Sequence, residues 1–314
     1  MRISNIAMEK FSKSLKLMGN NFTITVVAED AVSAQQSIEL AINEIRRIEK
    51  LFTTFSPDSQ TNFINANAGI KPVVVDDEVF NLIERSIGIS RITQGAFDIS
   101  YGSIDKSLWN FDENMTVLPS PKLALKMVYL INYKNIILNH KDKTVFLKEK
   151  GMRIGFGGIG KGYAAEMAKT ILIRNQVESG IINASGDLTA WGKQPDGKPW
   201  TIGIANPDHP QDAFSYLEIS GKAIATSGNY EKYIMIGEKK YSHTIDPKTG
   251  LPITGIKSVT VIGDNAEFAD AMATPIAVMG ITAGLFLVDQ LPEIYCIIID
   301  DNNKIYTSKN INLK

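Results

Sequence analysis

Apolar and polar positions along the chain change period several times, and each change marks an element. From 20 to 28, Phe22, Ile24 and Val26 share one side of an alternating pattern, which predicts a strand. Over 33–52, Ile38, Ile42, Ile45, Ile48 and Phe52 recur at helical spacing, which predicts a long amphipathic helix. A second helix is expected over 76–92, with acidic residues in its first turn, where the helix dipole favours them. Ser120-Pro121 reads as a helix start, a capping hydroxyl followed by proline at the first helical position. Residues 134–147 predict a hairpin turning at 140–143.

The second half of the chain is rich in short strands. They are expected at 181–183, 200–205, 216–219, 223–226, 233–236, 240–244 and 259–263. A helix over 163–176 follows a glycine-rich turn. Another runs over 266–279 with Asn265 as its cap. The chain closes on a hairpin over 295–308, turning at 300–303. Mostly sequential strands with long helices inserted between groups indicate an α+β fold rather than a doubly wound sheet.

Composition narrows the class. A length of 314 residues with 44% hydrophobic and 21% charged residues describes a globular protein able to bury a sizeable core. A net charge of −1 gives no basis for nucleic-acid binding or for attraction to an anionic membrane. The lone Cys296 excludes an intrachain disulfide and a cysteine-rich zinc site, and its apolar neighbours Ile294 to Ile299 mark it as a small hydrophobe. No stretch is long and apolar enough to span a membrane, and residues 1–10 lack the apolar core of an export signal. A cytoplasmic location is therefore expected for the chain as written, or a periplasmic or membrane-associated one if a leader has been removed.

Five segments carry polar chemistry. Tyr241-Ser242-His243-Thr244-Ile245-Asp246-Pro247-Lys248-Thr249-Gly250 puts an imidazole just before a stiff turn. Asp246-Pro247 forces a bend and Gly250 tolerates positive φ. The segment reads either as a hairpin end whose His caps a backbone group or as a positioned proton acceptor. Residues 155–162 hold five glycines in eight positions, more than one tight turn needs. They indicate a loop that contacts phosphate or sugar, with a helix start beyond it offering free N–H groups. The match of Gly155, Gly157 and Gly160 to a dinucleotide fingerprint lacks a surrounding βαβ unit, and no Ser or Thr follows Gly160-Lys161 as a P-loop requires. Ser185-Gly186-Asp187 and Thr226-Ser227-Gly228 are each compatible with a plain turn or with ligand contact. Asp270 and Thr274 lie four apart on one helical face. Together they offer either two hard oxygen ligands suited to Mg²⁺ or a solvated Asp beside a back-bonded Thr.

Taken together and in order, these segments resemble the ApbE family of FAD:protein FMN transferases. The resemblance starts at Leu17-Met18-Gly19. It runs through Thr54-Phe55-Ser56-Pro57-Asp58-Ser59, Thr93-Gln94-Gly95-Ala96-Phe97-Asp98, the loop from Gly157 to Tyr163, Ser185-Gly186-Asp187, Thr226 to Tyr230 and Ser242 to Pro247, and it ends at Ala269 to Thr274. It spans nearly the whole chain, as one ApbE-like domain over 1–314. It implies antiparallel or mixed sheets with long helices around a central flavin-nucleotide cleft. It also implies transfer of FMN from FAD to a threonine hydroxyl of an acceptor protein, with release of AMP. By the same resemblance, Asp270, Thr274 and a carbonyl such as that of Gly160 would hold Mg²⁺. His243 would take the hydroxyl proton. Met18, Phe55, Gly95, Ala96, Phe97, Asp98, Gly158, Lys161, Ser227 and Gly228 would line the FAD cleft. An orienting role of Asp246 toward His243 is a further expectation. An FAD pyrophosphatase and a non-catalytic FAD-binding protein are the alternatives.

The chain departs from the family pattern in three ways. Gly155 stands where an Asp is common, Asn20 where a Thr is common, and neither an export signal nor a lipid-carrying Cys is evident. No Asp-x-x-Thr-x-Thr segment occurs in the chain, so the acceptor is expected to be another protein.

Overall fold

In the computed structural model, residues 7–105, 117–205, 213–228, 233–237, 239–309 and 311 are described. The chain opens with a hairpin of β1 (Glu9–Leu17) and β2 (Asn20–Ala28), followed by α1 (Ala31–Phe52). Next come α2 (Gln60–Ala66), β3 (Val73–Val74), α3 (Asp77–Ile92) and α4 (Pro121–Met127). The hairpin β4 (Ile136–Asn139) and β5 (Thr144–Leu147) leads through the glycine-rich loop into α5 (Gly160–Arg174). Strands β6 (Gly180–Ala184), β7 (Asp187–Trp191), β8 (Trp200–Ala205), β9 (Ala213–Ile219) and β10 (Lys222–Gly228) follow. After β11 (Tyr233–Ile236), β12 (Lys239–Ser242) and β13 (Ile256–Gly263) come α6 (Ala266–Met279) and α7 (Ile281–Val288). The hairpin β14 (Tyr295–Asp300) and β15 (Ile305–Thr307) ends the fold.

Eight strands form one sheet in the order β1-β2-β6-β7-β10-β13-β14-β15, and all of its pairings are antiparallel. One face carries α1, α5 and α6. The stripe predicted on α1 is the buried one: Ile38, Ile42, Ile45 and Ile48 pack into the core with Phe22, Ile24 and Val26 of β2. Each such side chain stabilises the fold by about 2 kcal/mol through the apolar area it removes from water. On the opposite face the β8–β9 hairpin lays Trp200, Ile204 and Ile219 over Leu188, Ala190, Ile224 and Ile262. The middle strands are therefore covered on both sides.

Most boundaries match the sequence pattern. Asn265 caps α6, its side chain accepting from the Phe268 N–H at 3.0 Å, and Ser120 caps α4 through the Leu123 N–H. Two boundaries differ in ways that matter. Helix α5 begins at Gly160, inside the glycine run, rather than at Tyr163. Strand β12 stops at Ser242, so His243 lies beyond the strand rather than within it. The sequence pattern does not predict strands β1, β3 and β7 or helices α2 and α7. Among the described residues no helix is long and apolar enough to cross a membrane.

Candidate active site

A cleft of about 790 Å³ opens where the glycine-rich loop, the loop before residue 99, the His243 segment and α6 converge. Gly155, Gly157 and Gly158 line it together with Ala96, Phe97, Asp98, His243, Pro247 and Thr274. None of Gly155, Gly157, Gly158, Gly160 and Gly162 has positive φ. Space, not backbone conformation, is what glycine supplies here. A Cβ at Gly157 would meet nothing within 4 Å, and one at Gly155 would touch only the Thr54 methyl at 3.6 Å. At Gly158 it would reach the Phe97 ring at 3.5 Å.

Gly162 is the exception, because it faces inward. A Cβ there would lie 2.1 Å from the Ala266 carbonyl oxygen and 2.7 Å from the Asp270 Cβ. The missing side chain lets α5 and α6 touch, and the Gly162 N–H donates to Asp270 Oδ2 at 2.9 Å. Asp270 is buried. Burial first, and then the negative charge of Asp187, push its carboxyl up to about 7; the Lys161 ammonium and the N–H groups of Gly162 and Lys161 act in the opposite direction. One turn further along α6, the Thr274 hydroxyl donates to Ser227 Oγ at 3.3 Å. This bond ties α6 to the end of β10, where Ser227 and Gly228 pair with Val259 and Ser258 of β13.

Lys161 is ion-paired with Asp187, which is also buried and whose Oδ1 accepts from the Thr226 N–H at 3.2 Å. Asp187 thus joins the start of α5 to the end of β10. The sequence offered Ser185-Gly186-Asp187 only as a turn or a ligand contact. Its structural role follows from partners that are 26 and 39 residues away.

The His243 segment is held as a rigid arm. The Thr244 N–H donates to Ser242 Oγ at 3.0 Å, and the Ile245 N–H to the Tyr101 hydroxyl at 3.3 Å. Burial raises the Tyr101 phenol to about 12, so it stays neutral as this acceptor. Asp246 Oδ1 accepts from the Lys248 N–H at 2.8 Å and Oδ2 from the Thr249 hydroxyl at 3.1 Å. These bonds run to its own turn, and Asp246 is not among the residues lining the cleft. Gly250 has φ +72°, and a Cβ on it would fall 2.1 Å from the Ala124 carbonyl oxygen. Glycine is required there on both counts.

The remaining expected residues are spread around this centre. Met18 (φ +50°) sits in the β1–β2 turn with its Cε 3.7 Å from where a Gly160 Cβ would be. Asn20 donates to the Met18 carbonyl at 2.7 Å, so the residue that replaces the common Thr braces this turn. The Gly160 N–H donates to the Phe156 carbonyl at 2.6 Å. Gly95 (φ +83°) faces the Tyr133 ring. Asp98 accepts from the Ser100 N–H and hydroxyl and from the Tyr133 N–H at 2.7 Å, while burial raises its carboxyl above the usual range. Phe55 is 96% exposed and borders a neighbouring depression that shares Thr54 with the cleft, so the structure does not bring it into the cleft itself. Asn229 and Tyr230 lie outside the described residues.

The sequence profile of the ApbE family matches residues 18–298. The chain belongs to the ApbE family. A similar protein, the FAD:protein FMN transferase of Klebsiella pneumoniae (strain 342), is 31% identical over 95% of this chain and 92% of its own length. The FAD:protein FMN transferase of Vibrio cholerae is 26% identical over 93% of this chain and 89% of its own. The fold is similar to the ApbE protein of Thermotoga maritima, with a TM-score of 0.85 and 29% identity across 96% of this chain and 97% of that one. The α+β architecture with its antiparallel main sheet is thus that of ApbE proteins.

Proposed function

We propose that this chain, a transferase of the ApbE family, moves FMN from FAD onto a threonine hydroxyl of an acceptor protein in a Mg²⁺-dependent reaction that releases AMP. The observation that carries this reading is the single cleft onto which His243, Thr274 and the glycine-rich loop all face. The glycines leave the wall open for a dinucleotide to approach the main chain.

The oxygens present fit a small hard cation. Asp270 supplies a buried carboxylate, and Thr274 supplies a hydroxyl one turn away. A main-chain carbonyl of the loop, such as that of Gly160, would complete the protein's share. Among the described residues no cluster of three or more His, Cys, Asp or Glu gathers to hold a metal, so the set relies on hydroxyl, carbonyl and substrate oxygens. Bound there, Mg²⁺ would offset the charge of the FAD pyrophosphate and improve AMP as a leaving group.

This chain's own residues do the rest. The arm braced by Tyr101 and the Asp246 turn presents the His243 imidazole to the cleft. His243 takes the proton of the acceptor hydroxyl as its oxygen bonds the FMN phosphorus and the bond to AMP breaks. Lys161, ion-paired with Asp187, ties the start of α5 to β7 beside the loop. With a rigid cradle, positioning and charge stabilisation supply most of what phosphoryl-type transfer requires.

Incubation with FAD, Mg²⁺ and an acceptor flavoprotein, read by intact mass, tests this. An FMN-sized increment on the acceptor with equimolar AMP is expected, and chelator should abolish it. Free FMN and AMP without an adduct would replace the transferase with a hydrolase.

A further inference from the structure

Helices α5 and α6 run side by side and are joined by two rungs. The first is the Gly162 N–H to Asp270 Oδ2, and the second is the Ala266 N–H to Glu166 Oε2 at 3.0 Å. The rungs lie four residues apart on both helices, one turn, in opposite directions. Both donors are groups that a helix cannot satisfy by itself: Gly162 is the third residue of α5 and Ala266 the first of α6. Asn265 caps α6 through Phe268, which leaves the Ala266 N–H to Glu166.

The second rung is buried and braced. Glu166 is largely shielded from solvent and its other oxygen is ion-paired with Lys169. Lys169 in turn bonds Thr189 Oγ1 of β7 at 3.1 Å. Gly162 has no side chain to act as a stop between the helices. To the packing that seats α6 on α5, the two carboxylates therefore add the directional bonds. Of these, only Glu166 is clear of the cation-holding oxygens proposed above.

We propose that Glu166 is a positioning residue for Asp270 and Thr274. By accepting from the Ala266 N–H it fixes how far α6 slides along α5, and so where the two oxygens sit relative to the glycine-rich loop. The use made of those oxygens rests on the metal reading above, whereas the positioning does not.

Two double variants isolate the bond. Glu166→Gln/Lys169→Met keeps an acceptor for the Ala266 N–H without leaving an unpaired ammonium. Glu166→Leu/Lys169→Met keeps the volume and removes the acceptor. Amide exchange at Gly162, measured in chelator, reads the Asp270 rung directly. It should be about tenfold faster in the Leu variant than in the Gln variant, with amides of α1 unchanged. The Mg²⁺ midpoint of thermal stabilisation in the presence of FAD should rise about tenfold or more in the Leu variant and stay near the unmodified value in the Gln variant. Equal Gly162 exchange in the two variants would overturn the proposal, as would acceleration that extends equally to α1. If melting of the unmodified protein does not respond to Mg²⁺, the metal reading fails, and the exchange comparison still decides the role of Glu166.

Discussion

The main chain of Gly162 lies directly against that of Ala266, with no room for even a methyl group between them. This contact brings the start of α5, within the glycine-rich run, to hydrogen-bonding distance of the helix that carries Asp270 and Thr274. Gly162→Ala should force the helices apart and cost about 2 kcal/mol or more. A thermal melt should show the midpoint falling by several degrees, and FAD binding should weaken in parallel. An unchanged melt would show that α6 can shift without penalty.

His243 faces the cleft but is not part of the packed core. His243→Ala should leave the melt and the FAD affinity close to those of the unmodified protein while transfer falls by about 10²- to 10⁴-fold. Single-turnover transfer at saturating FAD separates the two effects. Transfer at an undiminished rate would remove the imidazole from the reaction.

Asp246 distinguishes turn-building from imidazole orientation. Its bond to the Lys248 N–H needs one acceptor oxygen, which an amide keeps, and an amide N–H can donate to the Thr249 hydroxyl where the carboxylate now accepts from it. Asp246→Asn should therefore keep most of the activity, whereas Asp246→Ala loosens the arm and costs about 1 kcal/mol for each bond lost. If Asp246→Asn lost as much transfer as His243→Ala, the carboxylate would be acting on the imidazole after all.

The carboxyl of Asp270 is raised from 3.8 to about 7 by burial and by Asp187. A carboxyl raised on folding weighs against the native state where it is ionised, and this penalty fades as pH falls from about 7 toward its unfolded value. In chelator, Asp270→Asn should therefore be more stable than the unmodified protein at pH 8, with the gap closing toward pH 5. Denaturant unfolding at several pH values measures it. A gap that widened on acidification would mean the carboxyl is lowered, not raised.

How far the fold could be read from the chain depended on where each element lies. Helix α6 was legible to its ends because Asn265 caps it and an apolar period runs along it. Strand β1 was hidden because it is an edge strand whose inward row, with Phe11 and Leu15, is broken by Lys13, which reaches out to Glu39 at 2.7 Å. Strand β7 was hidden for the opposite reason: from Asp187 to Trp191 every residue is buried, since helices cover one face and the β8–β9 hairpin the other, and no alternation survives. The apolar run of α7 is short and lacks a polar face.

The same holds at the site. Ordered motifs carried His243, Asp270, Thr274 and the loop glycines, because each sits in a local signature. Asp187 and Glu166 act through partners far away in sequence: Thr226 and Lys161 for one, Ala266 for the other. No local pattern encodes such pairings; they appear only once strand order and helix contacts are known.

The close seating of Gly250 on Ala124 couples two pieces that the chain order keeps well apart. With no side chain as a cushion, the imidazole-bearing arm rests directly on the main chain of the short helix α4, and any larger residue at this position would push the arm off its seat.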